Sequence, residues 1–170
     1  ACLACASDWF KNTTGMHECT PCVENTVSFG LGSTYCNCTV GFERVDADVC
    51  AACPVDTYND EVAGTCKSCP ANSVSRVGSV QIADCGCLPA FGNPGDNNTC
   101  QFCTMGYYKN TTESTECVRC PENQTSTWDR LSCDCMDGHF YIPETGGCQA
   151  CAVGTFKKSI FDAMSCNSCP

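Results

Sequence analysis

Apolar residues are scattered thinly along the chain, in short segments mixed with Thr, Asn and Gly. Neither a helical period nor a sustained strand alternation holds for long. The pattern predicts short β-hairpins and irregular loops with almost no helix. No apolar run is long enough to span a bilayer. What recurs is placement relative to cysteine. Five residues after Cys5, Cys53, Cys103 and Cys151 stand the rings Phe10, Tyr58, Tyr108 and Phe156, and three residues after them stand Asp8, Asp56, Gly106 and Gly154. Three residues after Cys22, Cys69 and Cys120 come Asn25, Asn72 and Asn123, followed three later by Ser28, Ser75 and Ser126. Gly41-Phe42, Ala90-Phe91 and Gly138-His139 follow Cys38, Cys87 and Cys135. Gly and Asp tolerate a left-handed backbone, and Asn can bond its own backbone two residues on, so these places are read as turns. A ring at a fixed place beside a cysteine is read as a small local core rather than a binding stripe.

The 22 cysteines form eleven close pairs, 2/5, 19/22, 36/38, 50/53, 66/69, 85/87, 100/103, 117/120, 133/135, 148/151 and 166/169. Their spacings cycle through Cys-x-x-Cys, Cys-x-x-Cys and Cys-x-Cys, with Cys2, Cys50, Cys100 and Cys148 opening successive turns of the cycle. A period near 50 residues signals a repeat array. Framed as six-cysteine modules, the array has module 1 at 3–50, module 2 at 51–100, module 3 at 101–148 and a partial module 4 at 149–170, with residues 1–2 ending a preceding module. Two-residue spacers, Leu3-Ala4, Ala51-Ala52, Gln101-Phe102 and Gln149-Ala150, separate them. With cysteines cut through at both ends, the chain reads as the interior of something longer.

Composition explains why cysteine must carry the fold. Leu, Ile, Val and Phe together number 27 of 170 residues, and the net charge is −10. Material so poor in large apolar side chains cannot build one sizeable core, and small secreted modules replace the core with cross-links. Such thiol density implies an oxidising, extracellular compartment. Five Asn-x-Ser/Thr sequons, at Asn12, Asn37, Asn97, Asn110 and Asn123, point the same way and mark candidate N-glycans. Asn37 sits between two cysteines, and Asn123 doubles as a turn residue. Nineteen acids against nine bases disfavour nucleic acid and anionic membranes as partners.

The frame resembles the EGF-like fold, and more closely the cysteine-rich EGF-like repeat of Eph-family receptor ectodomains. That pattern is carried by Cys103-Thr-Met-Gly-Tyr-Tyr-Lys109, Cys117-Val-Arg-Cys-Pro-Glu-Asn-Gln-Thr-Ser126 and Cys133-Asp-Cys-Met-Asp-Gly138. Departures at Asp8, Asp56, Val23, Ala90 and His139 touch turns and leave the cysteine frame intact. The resemblance implies a small disulfide-rich fold, an elongated array of tandem EGF-like modules with short hairpins and little helix. It also implies first-to-third, second-to-fourth and fifth-to-sixth pairing: Cys5–Cys22, Cys19–Cys36 and Cys38–Cys50, then Cys53–Cys69, Cys66–Cys85 and Cys87–Cys100, then Cys103–Cys120, Cys117–Cys133 and Cys135–Cys148, and finally Cys151–Cys169. Six cysteines allow 15 connectivities, and sequential pairing, Cys5–Cys19 with Cys22–Cys36, is the rival.

Other chemistries fit less well. Paired Cys-x-x-Cys motifs can hold zinc, but the Cys-x-Cys pairs and the sequons favour disulfides. A redox Cys-x-x-Cys needs a single motif at a helix start, whereas this one recurs eight times. Calcium-binding EGF modules need an acidic cluster before the first cysteine, and the spacers have none. Asp46, Asp48, His17 and His139 are read as surface residues. No catalytic, cofactor-binding or metal residue is assigned, and an enzyme is not expected. The expected role is a structural segment of an extracellular fibre or stalk; flagellar-hair (mastigoneme) glycoproteins of algae and other protists carry similar repeats. Its partners would be further copies or other chains of an assembly, and N-linked glycans, with no nucleic acid and no membrane insertion by this segment. The alternative is a ligand-binding or spacer region of a receptor or adhesion ectodomain, which predicts one module with an exposed aromatic or apolar patch.

Overall fold

Ten times along the chain a cysteine is followed three residues later by a left-handed residue, and there the backbone makes the same tight turn. These residues are Asp8, Asn25, Gly41, Asp56, Asn72, Ala90, Gly106, Asn123, Gly138 and Gly154, with φ between 60° and 84°. In each case the residue after it donates its N–H to the carbonyl three residues back, as in Trp9 N to Ala6 O (3.2 Å) and Gln124 N to Pro121 O (3.2 Å). A turn with a left-handed third residue has the character of type II. Thr26, Thr57, Ser73 and Thr155 reinforce it by donating a side-chain hydroxyl to that same carbonyl, at 2.7 to 2.8 Å. Each turn opens a short antiparallel hairpin whose return strand begins within one residue of the next cysteine.

The computed structural model describes residues 3–14, 18–47, 49–93, 95, 99–112, 116–157 and 165–170. It resolves into two compact units, Ala1–Cys85 and Gly86–Pro170. In the first, Trp9–Phe10 pairs with Thr20–Pro21, Thr26–Val27 with Asn37–Cys38, Phe42–Asp46 with Val49–Ala52, and Thr57–Tyr58 with Lys67–Ser68. In the second, Phe91–Gly92 pairs with Gln101–Phe102, Tyr107–Tyr108 with Val118–Arg119, Gln124–Ser126 with Cys133–Cys135, His139–Ile142 with Gly147–Ala150, and Thr155–Phe156 with Asn167–Ser168. Helix among the described residues is confined to the 3-10 turn Ile82–Asp84. The fold is a disulfide-rich array of tandem short hairpins.

Disulfide pairing differs from the EGF-like expectation. The first unit holds Cys5–Cys19, Cys22–Cys36, Cys38–Cys50, Cys53–Cys66 and Cys69–Cys85. The second holds Cys87–Cys100, Cys103–Cys117, Cys120–Cys133, Cys135–Cys148 and Cys151–Cys166. Cys38–Cys50, Cys87–Cys100 and Cys135–Cys148 are the fifth-to-sixth bonds. The interleaved bonds Cys5–Cys22, Cys19–Cys36, Cys53–Cys69, Cys66–Cys85, Cys103–Cys120, Cys117–Cys133 and Cys151–Cys169 are replaced by sequential ones, and Cys169 is an exposed free thiol. The reason is local. The two cysteines of a close pair belong to different hairpins, one closing the hairpin behind and one opening the hairpin ahead. Each hairpin brings its own two cysteines to a Cα separation of 5.5 to 5.8 Å, inside the range a disulfide spans without strain. The spacers are therefore return strands: Ala51 and Ala52 face Glu43 and Phe42, and Gln101 and Phe102 face Gly92 and Phe91.

The buried apolar set is eight cysteines with Tyr58 and Ala90. Of the recurring rings, Tyr58 is buried, Phe10 and Tyr108 are half-buried, and Phe156 is exposed, so sulfur rather than the ring column forms the centre. Glycine at two turn positions separates two costs. A Cβ at Gly41 would lie 2.5 Å from the Gly78 carbonyl oxygen, whereas one at Gly106 meets nothing within 4 Å. Gly106→Ala is expected to cost only the left-handed backbone, about 1–2 kcal/mol. Gly41→Ala adds a backbone clash and should cost more, which thermal unfolding of the two variants side by side will show.

Candidate functional site

The side chains that lock hairpin to hairpin are polar. Six residues after its opening cysteine, a hairpin buries a side chain against its neighbour: Ser28, Asn59, Ser75, Lys109, Ser126 and Lys157 are all buried there. Buried polar groups require partners, and for Ser28, Asn59, Ser75, Lys109 and Ser126 these include backbone groups of the adjoining hairpin. Ser28 Oγ donates to Trp9 O (3.1 Å), Ser75 Oγ donates to Thr57 O (2.8 Å), and Ser126 Oγ accepts from Gly106 N (3.0 Å). Asn59 donates Nδ2 to Phe42 O (2.7 Å), accepts Glu61 N at Oδ1 (3.1 Å), and accepts Gly41 N at its own carbonyl (2.8 Å). A second backbone link recurs within each unit. The turn carbonyl accepts the N–H of the next opening cysteine, as in Cys22 N to Asp8 O (2.8 Å), Cys53 N to Gly41 O (2.8 Å) and Cys120 N to Gly106 O (2.8 Å), or of the residue after it, as in Thr39 N to Asn25 O (3.0 Å) and Met136 N to Asn123 O (3.0 Å). Within each unit these contacts join neighbouring hairpins without an apolar core.

Lys109 is the most demanding of these pegs. It is 1% exposed, and its ammonium donates to Cys87 O (2.6 Å), Leu88 O (3.2 Å) and Thr111 O (2.6 Å). Its three donors meet three carbonyls and no carboxylate. Burial lowers its pKa from the ordinary lysine value of 10.5. Nearby, the Arg130 guanidinium donates to Cys103 O (3.0 Å) and Thr127 O (2.7 Å) and lies 5.5 Å from the centre of the Phe102 ring, which meets Phe91 edge-on at 5.4 Å. Asp129 accepts from the Thr127 hydroxyl (2.6 Å) and from Leu131 N (3.1 Å), and these bonds hold its carboxyl below the usual carboxylate range.

The outward face of the second unit carries one concentrated apolar surface. Met105 and Trp128 are 73% and 72% exposed, and Met136 is 46% exposed. They line two adjoining shallow grooves that share Met105, Thr125 and Met136, one running to Tyr107 and Asn123, the other to Trp128 and Arg130.

The sequons fall in different settings. Asn12 and Asn110 are exposed, each seven residues after an opening cysteine, and Asn123 is exposed in its left-handed turn. Asn37 is half-buried in the strand Asn37–Cys38, opposite Val27. Asn97, His17 and Asp48 lie outside the described residues. Asp46 is an exposed carboxylate at the end of the strand Phe42–Asp46, accepting Ala47 N (2.7 Å), and half-buried His139 lies 3.2 Å from Asp137 O through Nδ1. Among the described residues no group of His, Cys, Asp and Glu is placed to hold a metal, and no helix is long and apolar enough to cross a membrane. Sequence reasoning marks Ser28, Ser75 and Ser126 as a recurring place without seeing their burial, and it misses Asn59, Lys109 and Lys157, because Ser, Asn and Lys share a place and a job but no chemistry a pattern would match.

Among the described residues, ten sequential disulfides on short hairpins define an extracellular cysteine-rich repeat array. Known proteins give the class its type. A family model described as tyrosine-protein kinase ephrin type A/B receptor-like matches residues 44–85 and 92–132. Cysteine repeat modular protein B of Toxoplasma gondii is 35% identical over 121 residues, 64% of this chain and 2% of that protein. Signal peptide, CUB and EGF-like domain-containing protein 2 of Mus musculus is 29% identical over 179 aligned positions, 93% of this chain and 17% of that protein. Ephrin type-A receptor 1 of Mus musculus is 28% identical over 104 residues, 54% of this chain and 11% of that protein. The chain therefore spans less than a fifth of the length of these relatives. It is built of cysteine-rich EGF-like repeats, which over residues 44–85 and 92–132 are similar to the ephrin-receptor-like type.

Proposed function

We propose that this segment is a structural part of an extracellular glycoprotein fibre or stalk, of the kind that mastigoneme-like filaments represent, with its modules at 3–50, 51–100, 101–148 and 149–170. The observation that carries the reading is the sameness of the hairpins. Six hairpins bury a polar side chain at the same place, and turn carbonyls accept from the following hairpin, so the structure serves continuity rather than one singular site. Arrays in which each repeat contacts its neighbours suit spacing and mechanical roles. Electron microscopy of the native full-length protein tests it. Ordered polymers support the proposal, and a soluble, isolated monomer at native concentration contradicts it.

A receptor or adhesion ectodomain is the second reading. The exposed Met105, Trp128 and Met136 surface favours it, as does the likeness to ephrin type-A receptor 1. In either case the chain would be N-glycosylated. Release by peptide N-glycosidase in heavy-oxygen water, read by peptide mass spectrometry, should label Asn12, Asn110 and Asn123 and leave Asn37 unlabelled. Labelled Asn37 would contradict the half-buried strand setting given to it.

A further inference from the structure

We infer that the carbohydrate on Asn123 lies across the Met105, Met136 and Trp128 surface, which is thus a seat for the chain's own glycan rather than a site for another protein. The inference rests on the glycoprotein reading above and adds the place where one glycan goes. Three observations carry it. First, the acceptor and the surface adjoin: Asn123 lines the same groove as Met105 and Met136, and that groove runs on through Thr125 to Trp128. Asn123 is exposed and held in a left-handed turn (φ 61°) that opens directly from Cys120. Second, surface and sequon occur together. Asn25 and Asn72 occupy the same turn place but are followed by Thr26-Val27 and Ser73-Val74, so neither is a sequon. Around Asn25 the residues corresponding to Met105, Met136 and Trp128 are Ser7, Thr39 and Gly30. Around Asn72 the places of Met105, Met136 and Trp128 hold Val55, Leu88 and Val77, apolar but offering neither an indole plane nor a thioether. Third, the chemistry matches a sugar. The apolar C–H face of a pyranose packs on an indole plane and on thioethers, which are polarisable and conform to irregular partners. Arg119 and Glu122 line the first groove and Arg130 and Asp137 the second, and their polar groups are of the kind that bonds sugar hydroxyls. An apolar surface this concentrated on a thinly hydrophobic chain calls for a cover, and the sequon supplies one on the same molecule.

The test uses the chain secreted from a eukaryotic host, with occupancy of every sequon read by glycopeptide mass spectrometry. Dilute hydrogen peroxide then oxidises methionine to sulfoxide at a rate set by sulfur access, measured at Met105 and Met136 against an added reference peptide. The glycosylated chain should oxidise at these two residues at least about three-fold more slowly than Thr125→Ala or Asn123→Gly. The second variant removes the acceptor and keeps a residue suited to the left-handed turn. Equal rates with Asn123 occupied would overturn the inference, as would protection that persists in both variants, which would mean a second copy or another protein covers the surface. Sugar on Asn12 and Asn110 with Asn123 bare would overturn the inference and leave the glycoprotein reading standing. A chain bare at every sequon would overturn both.

Discussion

Replacing Cys103 and Cys117 together by serine is expected to open one hairpin and leave the other nine disulfides formed. The bond closes a 14-residue separation, and a loop of that size contributes on the order of 3 kcal/mol in the chain-entropy model. Tyr107–Tyr108 and Val118–Arg119 provide only two paired positions on each side, too little to persist as an isolated hairpin. Thiol titration should find no new free thiols in this double variant. Hydrogen exchange should show lost protection at the Tyr107–Arg119 ladder, with protection retained at the Phe140–Gln149 ladder. Cys103→Ser with Cys120→Ser is the contrasting pair. It strands Cys117 and Cys133, whose partners are gone, and should add two free thiols or a non-native bond. The reverse result, with the second pair benign and the first disruptive, would show interleaved pairing.

Lys109→Met is expected to cost about 3 kcal/mol. Methionine keeps most of the aliphatic stem but leaves the carbonyls of Cys87, Leu88 and Thr111 without their donor. Each such buried loss costs roughly 1–3 kcal/mol, and relief of the ammonium's desolvation offsets part of the sum. The damage should appear at the junction, as faster exchange of the Ala90 N–H, which donates to Lys109 O (2.7 Å). The pH dependence follows from the lowered pKa. Between the folded value and 10.5 the unfolded chain binds more protons than the folded one, so stability rises with pH in that window. With Cys169 alkylated, wild type should therefore gain on Lys109→Met as pH approaches 10.5, and a gap that narrows instead would contradict the buried setting of Nζ.

Much of the class was legible in residues alone. The scarcity of Leu, Ile, Val and Phe beside 22 cysteines dictated cross-linking and compartment, and the turn residues were recognised one by one. What sequence reasoning did not see is that they are one position. Asp8, Asn25, Gly41 and their counterparts were read as three separate features of a six-cysteine module. The structure makes each the third residue of the same hairpin, recurring every 15 to 18 residues from Cys5 to Cys151. Ala90 hides the rule, since alanine carries no signal for the left-handed conformation it adopts there. The pairing was hidden for a related reason. A Cys-x-x-Cys reads the same whether its members bond forward and back or across one another, and the EGF-like resemblance favoured the crossing. Side-chain burial was the least legible. Ser28, Asn59 and Lys109 are surface residue types by composition, and they are buried because neighbouring hairpins offer them backbone partners.

The most direct measurement is digestion of the denatured, unreduced, thiol-blocked chain with trypsin. Lys67 separates Cys66 from Cys69, and Arg119 separates Cys117 from Cys120, while every other cleavable Lys or Arg between cysteines lies inside a hairpin bridged by its own disulfide. One bond per hairpin predicts three separable disulfide-linked groups, covering residues 1–67, 68–119 and 120–170. Interleaved pairing predicts two different groups, residues 1–109 joined to 120–130 through Cys53–Cys69 and Cys103–Cys120, and residues 110–119 joined to 131–170 through Cys117–Cys133. Any peptide linked across Lys67 or Arg119 would contradict one bond per hairpin.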